Sequence, residues 1–171
     1  SKTEPNASIF IIGENAIHEE MENYFIKTTD NPLEATHVLV GLDRKFTYHD
    51  LNLATTAVRN CKKLIVTNPD PSCPVPGGYI PDTMALAKAI EVASDQSIDQ
   101  IIGKPAPLYG SKMLEILGVP SNRLLVIGDR LETDIELGKR NGFKTCLVLT
   151  GISTEEDVQN SKIKPDSIIN D

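Results

Sequence analysis

Apolar residues in this chain come in short runs closed by glycine, alternating with stretches in which they recur every three or four positions. Ile9 to Ile12, closed by Gly13, reads as a buried strand, and Ile17, Met21, Tyr24 and Phe25 then follow at i, i+4, i+7 and i+8, one face of a helix. His37 to Val40, closed by Gly41, is a second strand. Thr47, with Asp50 three residues on, has the form of a capping box opening a helix that carries Leu51, Ala54, Val58 and Cys61. Lys63 to Thr67 is a third strand. Strand and helix in strict alternation predict a parallel or mixed sheet with crossover helices.

The pattern then breaks. Asn68 to Pro81 holds five of the chain's eleven prolines together with Gly77 and Gly78, which predicts a stiff surface loop without regular structure. A helix is expected from about Asp82 to Ala93, then a brief Ile101-Ile102 strand, Gly103-Lys104-Pro105, and a helix marked by Tyr109, Met113, Ile116 and Leu117 that Gly118 ends. Leu124 to Ile127 reads as a strand buried on both faces, closed by Gly128, with its helix running from about Glu132 to Arg140. Lys144 to Leu149 is a further strand. Ser153 with Glu156 forms a second capping-box pattern, and Ser167 to Ile169 a terminal strand. The polar interval around Ala93 to Gln100 is the expected boundary between two modules, 1–98 and 99–171.

Candidate chemistry gathers after that boundary. Lys104, between glycine and proline, projects from a loop after a strand; its plainer reading is a solvated turn lysine. It would meet Asp129 if the two strands are neighbours in one sheet. Asp129 stands at the carboxyl end of its strand, where open α/β sheets bind ligands; its plainer reading is an acid satisfying helix amides. Asp134, in the first turn beyond, faces back towards it. Two converging carboxylates repel unless a cation offsets them, so the pair points to a hard, oxygen-liganded ion such as Mg²⁺. Magnesium and a lysine together suit phosphate.

Charge and composition narrow the classes. Seventeen Lys and Arg against twenty-four Asp and Glu give a net charge of −7, and no basic run is present, so nucleic acid and anionic membrane are not expected partners. No apolar run approaches the roughly 18 to 20 residues of a membrane span, and Ser1 to Asn6 lacks a signal peptide's apolar middle. Cys61, Cys73 and Cys146 lack metal-type spacing, which favours free thiols in a reducing compartment and a cytoplasmic location. The three histidines are scattered, and no Gly-x-Ser-x-Gly elbow or glycine-rich phosphate loop occurs.

Gly103-Lys104-Pro105, Gly128-Asp129-Arg130-Leu131-Glu132-Thr133-Asp134-Ile135 and Leu147-Val148-Leu149-Thr150-Gly151-Ile152-Ser153-Thr154 resemble the third and fourth motifs of haloacid dehalogenase superfamily phosphatases, more narrowly the NagD-like, p-nitrophenyl phosphatase group. Val40-Gly41-Leu42-Asp43-Arg44-Lys45-Phe46-Thr47-Tyr48 and Thr67-Asn68-Pro69-Asp70 look like that group's cap domain. The resemblance implies an α/β fold, a partial Rossmann-like core of the haloacid dehalogenase type with an α/β cap domain. It implies hydrolysis of a small phosphorylated metabolite through a phosphoaspartyl intermediate. Asp129 becomes the Mg²⁺ ligand, Lys104 the residue holding nucleophile and phosphate, and Asp134 a supporting acid that orients the metal's water or Lys104. Asn68 and Asp70, in a loop expected to overhang the site, become substrate-binding residues.

The family's first motif, Asp-x-Asp, and its second, a phosphate-binding Ser or Thr, are not found; no Asp-x-Asp occurs in these residues. The chain is therefore expected to correspond to the C-terminal two-thirds of a phosphatase, truncated or proteolysed, and to be inactive alone. Its core lacks a central strand and is expected to rearrange, to pair with a second copy as a homodimer, or to hold the missing N-terminal segment as a separate piece. The alternative is a non-catalytic phosphate- or metal-binding module, or a regulatory one, of the same fold. A dinucleotide-binding domain fits the alternation but lacks the glycine fingerprint.

Overall fold

The computed structural model describes residues 6–170; residues 1–5 and 171, which the expected module ranges and the reading of the amino terminus include, lie outside the described residues. The chain divides into two compact units, Ser1–Ile102 and Gly103–Asp171. The fold is mixed α/β with parallel sheets.

The first unit carries a four-stranded parallel sheet of β1 (Ile9–Ile12), β2 (His37–Val40), β3 (Leu64–Val66) and β6 (Gln100–Ile101), in that order. Helices α1 (Asn15–Asn23), α2 (Tyr48–Cys61) and α3 (Thr83–Ser94) form the connections. Thr47 and Asp50 make the reciprocal capping box: the hydroxyl accepts from the Asp50 amide at 3.3 Å, and the Thr47 amide donates to Asp50 Oδ2 at 2.8 Å. The core packs Val38, Val40, Leu64 and Val66 against Ala54, Ala57 and Val58 of α2 and Ala87 and Ile90 of α3. Small residues on the helices let the backbones approach the sheet.

Three expectations for this unit are corrected. The short strand before Gly103 pairs with β3, so it belongs to the first unit rather than opening the second. Tyr24 and Phe25 do not extend the buried face of α1: the helix ends at Asn23, Phe25 takes φ 54°, and the two rings are 70% and 97% exposed. The proline-rich stretch is not irregular. Ser72–Val75 (β4) and Gly78–Pro81 (β5) form an antiparallel hairpin. Pro76 and Gly77 are its two central residues, and Gly77 supplies the positive φ, 91°, that a type II turn requires. Pro74 and Pro81 face Tyr79 and Ser72, alternate positions in the register, where an antiparallel ladder of this loop length asks for no donor.

The second unit is built on a three-stranded parallel sheet, β7 (Leu125–Gly128), β8 (Lys144–Val148) and β9 (Ser167–Ile169), with β7 at one edge. Helix α4 (Pro107–Leu117) precedes it, with a 3-10 turn, Ser121–Arg123, between them. A π-helical turn, Leu131–Ile135, runs directly into α5 (Glu136–Asn141), and α6 (Glu155–Asn160) lies between β8 and β9. Leu131, Ile135 and Leu147 form the buried centre, with Leu149, Val158 and Ile163 packed around them. Contrary to expectation, β7 is not covered on both faces: Leu125 and Ile127, two residues apart and so on one side, are 56% and 60% exposed. Helix α4 likewise leaves Ile116 and Leu117 open. The cap of α6 is Thr154 with Asp157 rather than Ser153 with Glu156. No helix of the described residues is long and apolar enough to cross a membrane.

Candidate active site

The second unit brings Lys104 and Asp134 together. Lys104 follows Gly103 in a turn closed by the Ala106 amide on the Gly103 carbonyl at 2.8 Å, and Pro107 then opens α4. Its ammonium donates to Asp134 Oδ1 at 2.6 Å. Asp134 is buried, its side chain 9% exposed, whereas the Lys104 side chain is 44% exposed, so the carboxylate is fixed while the ammonium keeps a face towards solvent. The other Asp134 oxygen accepts from the Arg130 amide at 3.3 Å.

The π turn sets this geometry. The Arg130 carbonyl accepts from both Asp134 N, at 3.1 Å, and Ile135 N, at 3.3 Å, which widens the first turn and buries Leu131, Thr133, Asp134 and Ile135. Asp134 is thereby pressed against the end of β7. A Cβ on Gly128 would lie 2.3 Å from Asp134 Cβ and Cγ, so only glycine fits there.

Asp129, one residue past β7, is held differently. Its Oδ2 accepts from the Ile152 amide at 3.0 Å and its carbonyl from the Ser153 amide at 2.9 Å. Ser153 Oγ in turn accepts from Leu131 N at 3.1 Å, which is why that serine does not cap α6. Three bonds therefore stitch 151–153 onto 129–131. The approach is close enough that a Cβ on Gly151 would lie 2.0 Å from Asp129 Oδ2. From sequence Gly128 reads only as a strand end and Ser153 only as a helix cap; the role of Gly151 and Ser153 in bracing Asp129 is carried by the Thr-Gly-Ile-Ser string after β8, which small and polar residues alone do not distinguish from an ordinary loop.

The expected meeting of Lys104 with Asp129 through neighbouring strands is not how the site forms, because β6 and β7 belong to different sheets. The lysine meets the helical acid instead. Asn68 and Asp70 belong to the first unit, after β3, where the Asp70 amide donates to Asn68 Oδ1 at 3.4 Å and the Asp70 carbonyl accepts from Met84 N at 3.0 Å.

No group of three or more His, Cys, Asp or Glu side chains suited to a metal ion occurs among the described residues. The donor set nevertheless fits a magnesium ligand at Asp129. One of its oxygens is anchored by an amide, and the other takes no hydrogen bond or ion pair from the described residues. Magnesium is commonly held by one or two carboxylates, with water and substrate phosphate completing its shell.

Residues 101–171 match the HAD-hydrolase-like family. The chain is 38% identical over 165 residues to an acid sugar phosphatase of Staphylococcus epidermidis, covering 96% of this chain and 63% of that protein. Among solved structures, a 4-nitrophenylphosphatase of Thermotoga maritima superposes with a TM-score of 0.89 at 36% identity, covering 99% of this chain and 64% of the other. A glycerol phosphate phosphatase of Mycobacterium tuberculosis in complex with magnesium gives 0.90 at 27% identity, covering 99% and 52%. The chain thus spans about 63% of the length of the curated relatives it matches.

Proposed function

The chain belongs to the haloacid dehalogenase-like hydrolases, in the NagD-like p-nitrophenyl phosphatase group, and from that premise we propose that its second unit supplies the lysine and metal-binding acid of a magnesium-dependent phosphomonoesterase. The observation that carries this reading is the Lys104 to Asp134 pair at 2.6 Å, with Asp134 in the helical turn that follows Asp129 at the strand end.

Under this reading Asp134 holds the Lys104 ammonium in place by charge and hydrogen bond, and the positive charge so placed stabilises a phosphate oxygen and the attacking carboxylate. Asp129 is the residue of this unit that would hold Mg²⁺, which when bound neutralises phosphate charge. The Ile152 amide keeps that carboxylate from swinging. The nucleophile is an aspartate outside the Asp-x-Asp-free residues present here: its carboxylate displaces the alcohol to form an acyl phosphate, and water then hydrolyses that mixed anhydride, releasing phosphate and regenerating the carboxylate. These residues alone are inactive. Residues 1–98 act as the cap, with Asn68 and Asp70 contacting the leaving group of a small phosphorylated metabolite. A reducing, cytoplasmic setting completes the reading, in keeping with three free thiols.

The exposed edge of β7 supports one further element, that a strand of the nucleophile-bearing segment lies along it. Covering the open parts of Leu125 and Ile127 would contribute about 1 to 1.5 kcal/mol each. A second copy occupying the same edge is the competing outcome, and light scattering of the 171-residue chain separates the two.

The decisive assay uses the protein translated from the complete reading frame with p-nitrophenyl phosphate. Hydrolysis that requires Mg²⁺, stops with a chelator and is lost in K104A is the expected result; no hydrolysis at any magnesium concentration refutes it. Magnesium binding without turnover, in a protein whose whole reading frame lacks Asp-x-Asp, would instead establish the non-catalytic module.

A further inference from the structure

Away from Lys104 and Asp134, the second unit has an open recess of about 530 Å³ lined by Glu136, Lys139 and Arg140 of α5 and by Lys162, Ile163 and Lys164 of the segment between α6 and β9. Four cations and one carboxylate surround it in a chain whose net charge is −7. Asp166, the ion-pair partner of Lys139, is the only other acid bonded to these groups among the described residues, so an excess of two positive charges remains.

The cations are partly preorganised. Lys139 Nζ is held by Asp166 Oδ1 at 2.6 Å, and Asp166 is itself fixed by Thr145 N and Oγ1 at 2.8 and 2.9 Å. Lys164 Nζ donates to the Val158 carbonyl at 2.5 Å and the Gln159 carbonyl at 3.1 Å, at the carboxyl end of α6, which positions its charge without a carboxylate partner. Arg140 shares one guanidinium nitrogen with Glu136 and keeps further donors. Lys162 makes no hydrogen bond or ion pair with described residues.

We propose that this recess binds a small, multiply charged phosphate-type anion, of the size of pyrophosphate or a doubly phosphorylated metabolite. Its volume lies in the ordinary range of small-molecule sites. Fixed ammonium groups lower the ordering cost of binding, and the excess charge of two matches a polyphosphate better than a monoanion. A nucleic acid would want aromatic platforms and a longer basic track, whereas the recess has Ile163 as its one apolar wall and no aromatic residue. The site lies in residues that the proposed hydrolysis does not use.

Titration of the isotope-labelled 171-residue chain with sodium pyrophosphate, at constant ionic strength, tests this by amide shifts. Saturable shifts are expected at 139–140 and 162–164, persisting in K104A, weaker for inorganic phosphate, and weakened roughly tenfold or more in K162A/K164A, which removes two charged donors. Shifts that do not saturate in the millimolar range, that are unchanged in the double variant, or that are confined to 104 and 129–134 would each overturn the proposal; the last outcome would leave the phosphatase reading intact.

Discussion

Replacing Gly128 by alanine tests whether the end of β7 and Asp134 are as tightly interlocked as the site requires. The added Cβ would stand 2.3 Å from Asp134 Cβ and Cγ and 2.5 Å from Oδ2, where unstrained carbon contacts are about 3.5 to 4.0 Å. A change of rotamer cannot relieve this, because the Asp134 Cβ is itself part of the clash and is placed by the backbone. The backbone is the π turn, buried along Leu131, Thr133 and Ile135, so it has little room to retreat. Overpacking of this kind costs about 1 to 3 kcal/mol. Pushing Asp134 away also breaks its bond to Lys104, worth about 1 to 2 kcal/mol once the 44% exposure of that lysine is allowed for. Together the loss is about 2 to 5 kcal/mol.

For a domain of 60 to 100 residues such a loss lowers Tm by roughly 8 to 40 °C, a large fraction of the net stability of a small domain. Because the chain divides into two units, the assay is hydrogen exchange or amide NMR of the second unit, rather than a single melting curve. Gly118→Ala is the control: its φ is 62° and nothing lies within 4 Å of an added Cβ, so it carries only the left-handed penalty of about 1 to 2 kcal/mol. G128A no more destabilised than G118A would refute the geometry.

Two other outcomes follow from specific contacts. The Lys104 and Asp134 substitutions K104M and D134N should each cost about 1 to 2 kcal/mol, the figure for a broken buried pair reduced because Lys104 is 44% exposed, and the double variant should cost less than their sum; additivity in chemical denaturation would show that the two do not interact. Asp166 is held down to about 2, from an ordinary 3.8, first by its bond to Lys139 and then by the Thr145 amide and hydroxyl. A depressed carboxyl contributes stability above its unfolded value and loses it as pH falls through the folded one, so between about 3.8 and 2 the wild type should lose Tm more steeply than D166N; parallel curves would contradict the assignment.

Much of the fold was legible because local and tertiary preferences agree. The apolar runs at 9–12, 37–40, 64–66 and 144–148 fall where strands form, and the Thr47 to Asp50 box caps its helix as its spacing implies. The failures have separable causes. Proline content ruled out a hairpin at 72–81 only if each proline faced a donor position, and the register places them elsewhere. Ser153 with Glu156 and Thr154 with Asp157 both satisfy the same cap pattern. A tertiary bond from Leu131 N to Ser153 Oγ, invisible in a local window, decides between them. Four apolar residues at 124–127 imply burial, yet an edge strand leaves alternate ones open. Lys104 and Asp134 were both legible as candidates, and the family resemblance offered Asp134 as an acid orienting the metal's water or Lys104; spacing alone pointed the lysine to Asp129, because it does not encode sheet membership.

That choice of partner changes the case for a metal. Two converging carboxylates would demand a divalent cation if both were left uncompensated. In the structure Lys104 already offsets Asp134, and the Arg130 amide takes its second oxygen. Mutual repulsion therefore cannot carry the magnesium assignment. What carries it is the asymmetry between the two acids: Asp134 has both oxygens committed and is buried, whereas Asp129 is braced through one oxygen by Ile152 N and has the other open among the described residues. Under the proposed phosphatase function, a cation that prefers near-octahedral oxygen coordination would find one protein ligand in this unit, its remaining ligands being water, substrate phosphate and an acid of the nucleophile-bearing segment. Under the phosphatase reading, the second unit thus orients a lysine and one metal ligand with precision and leaves affinity for the metal to the phosphate and to the segment that brings the nucleophile.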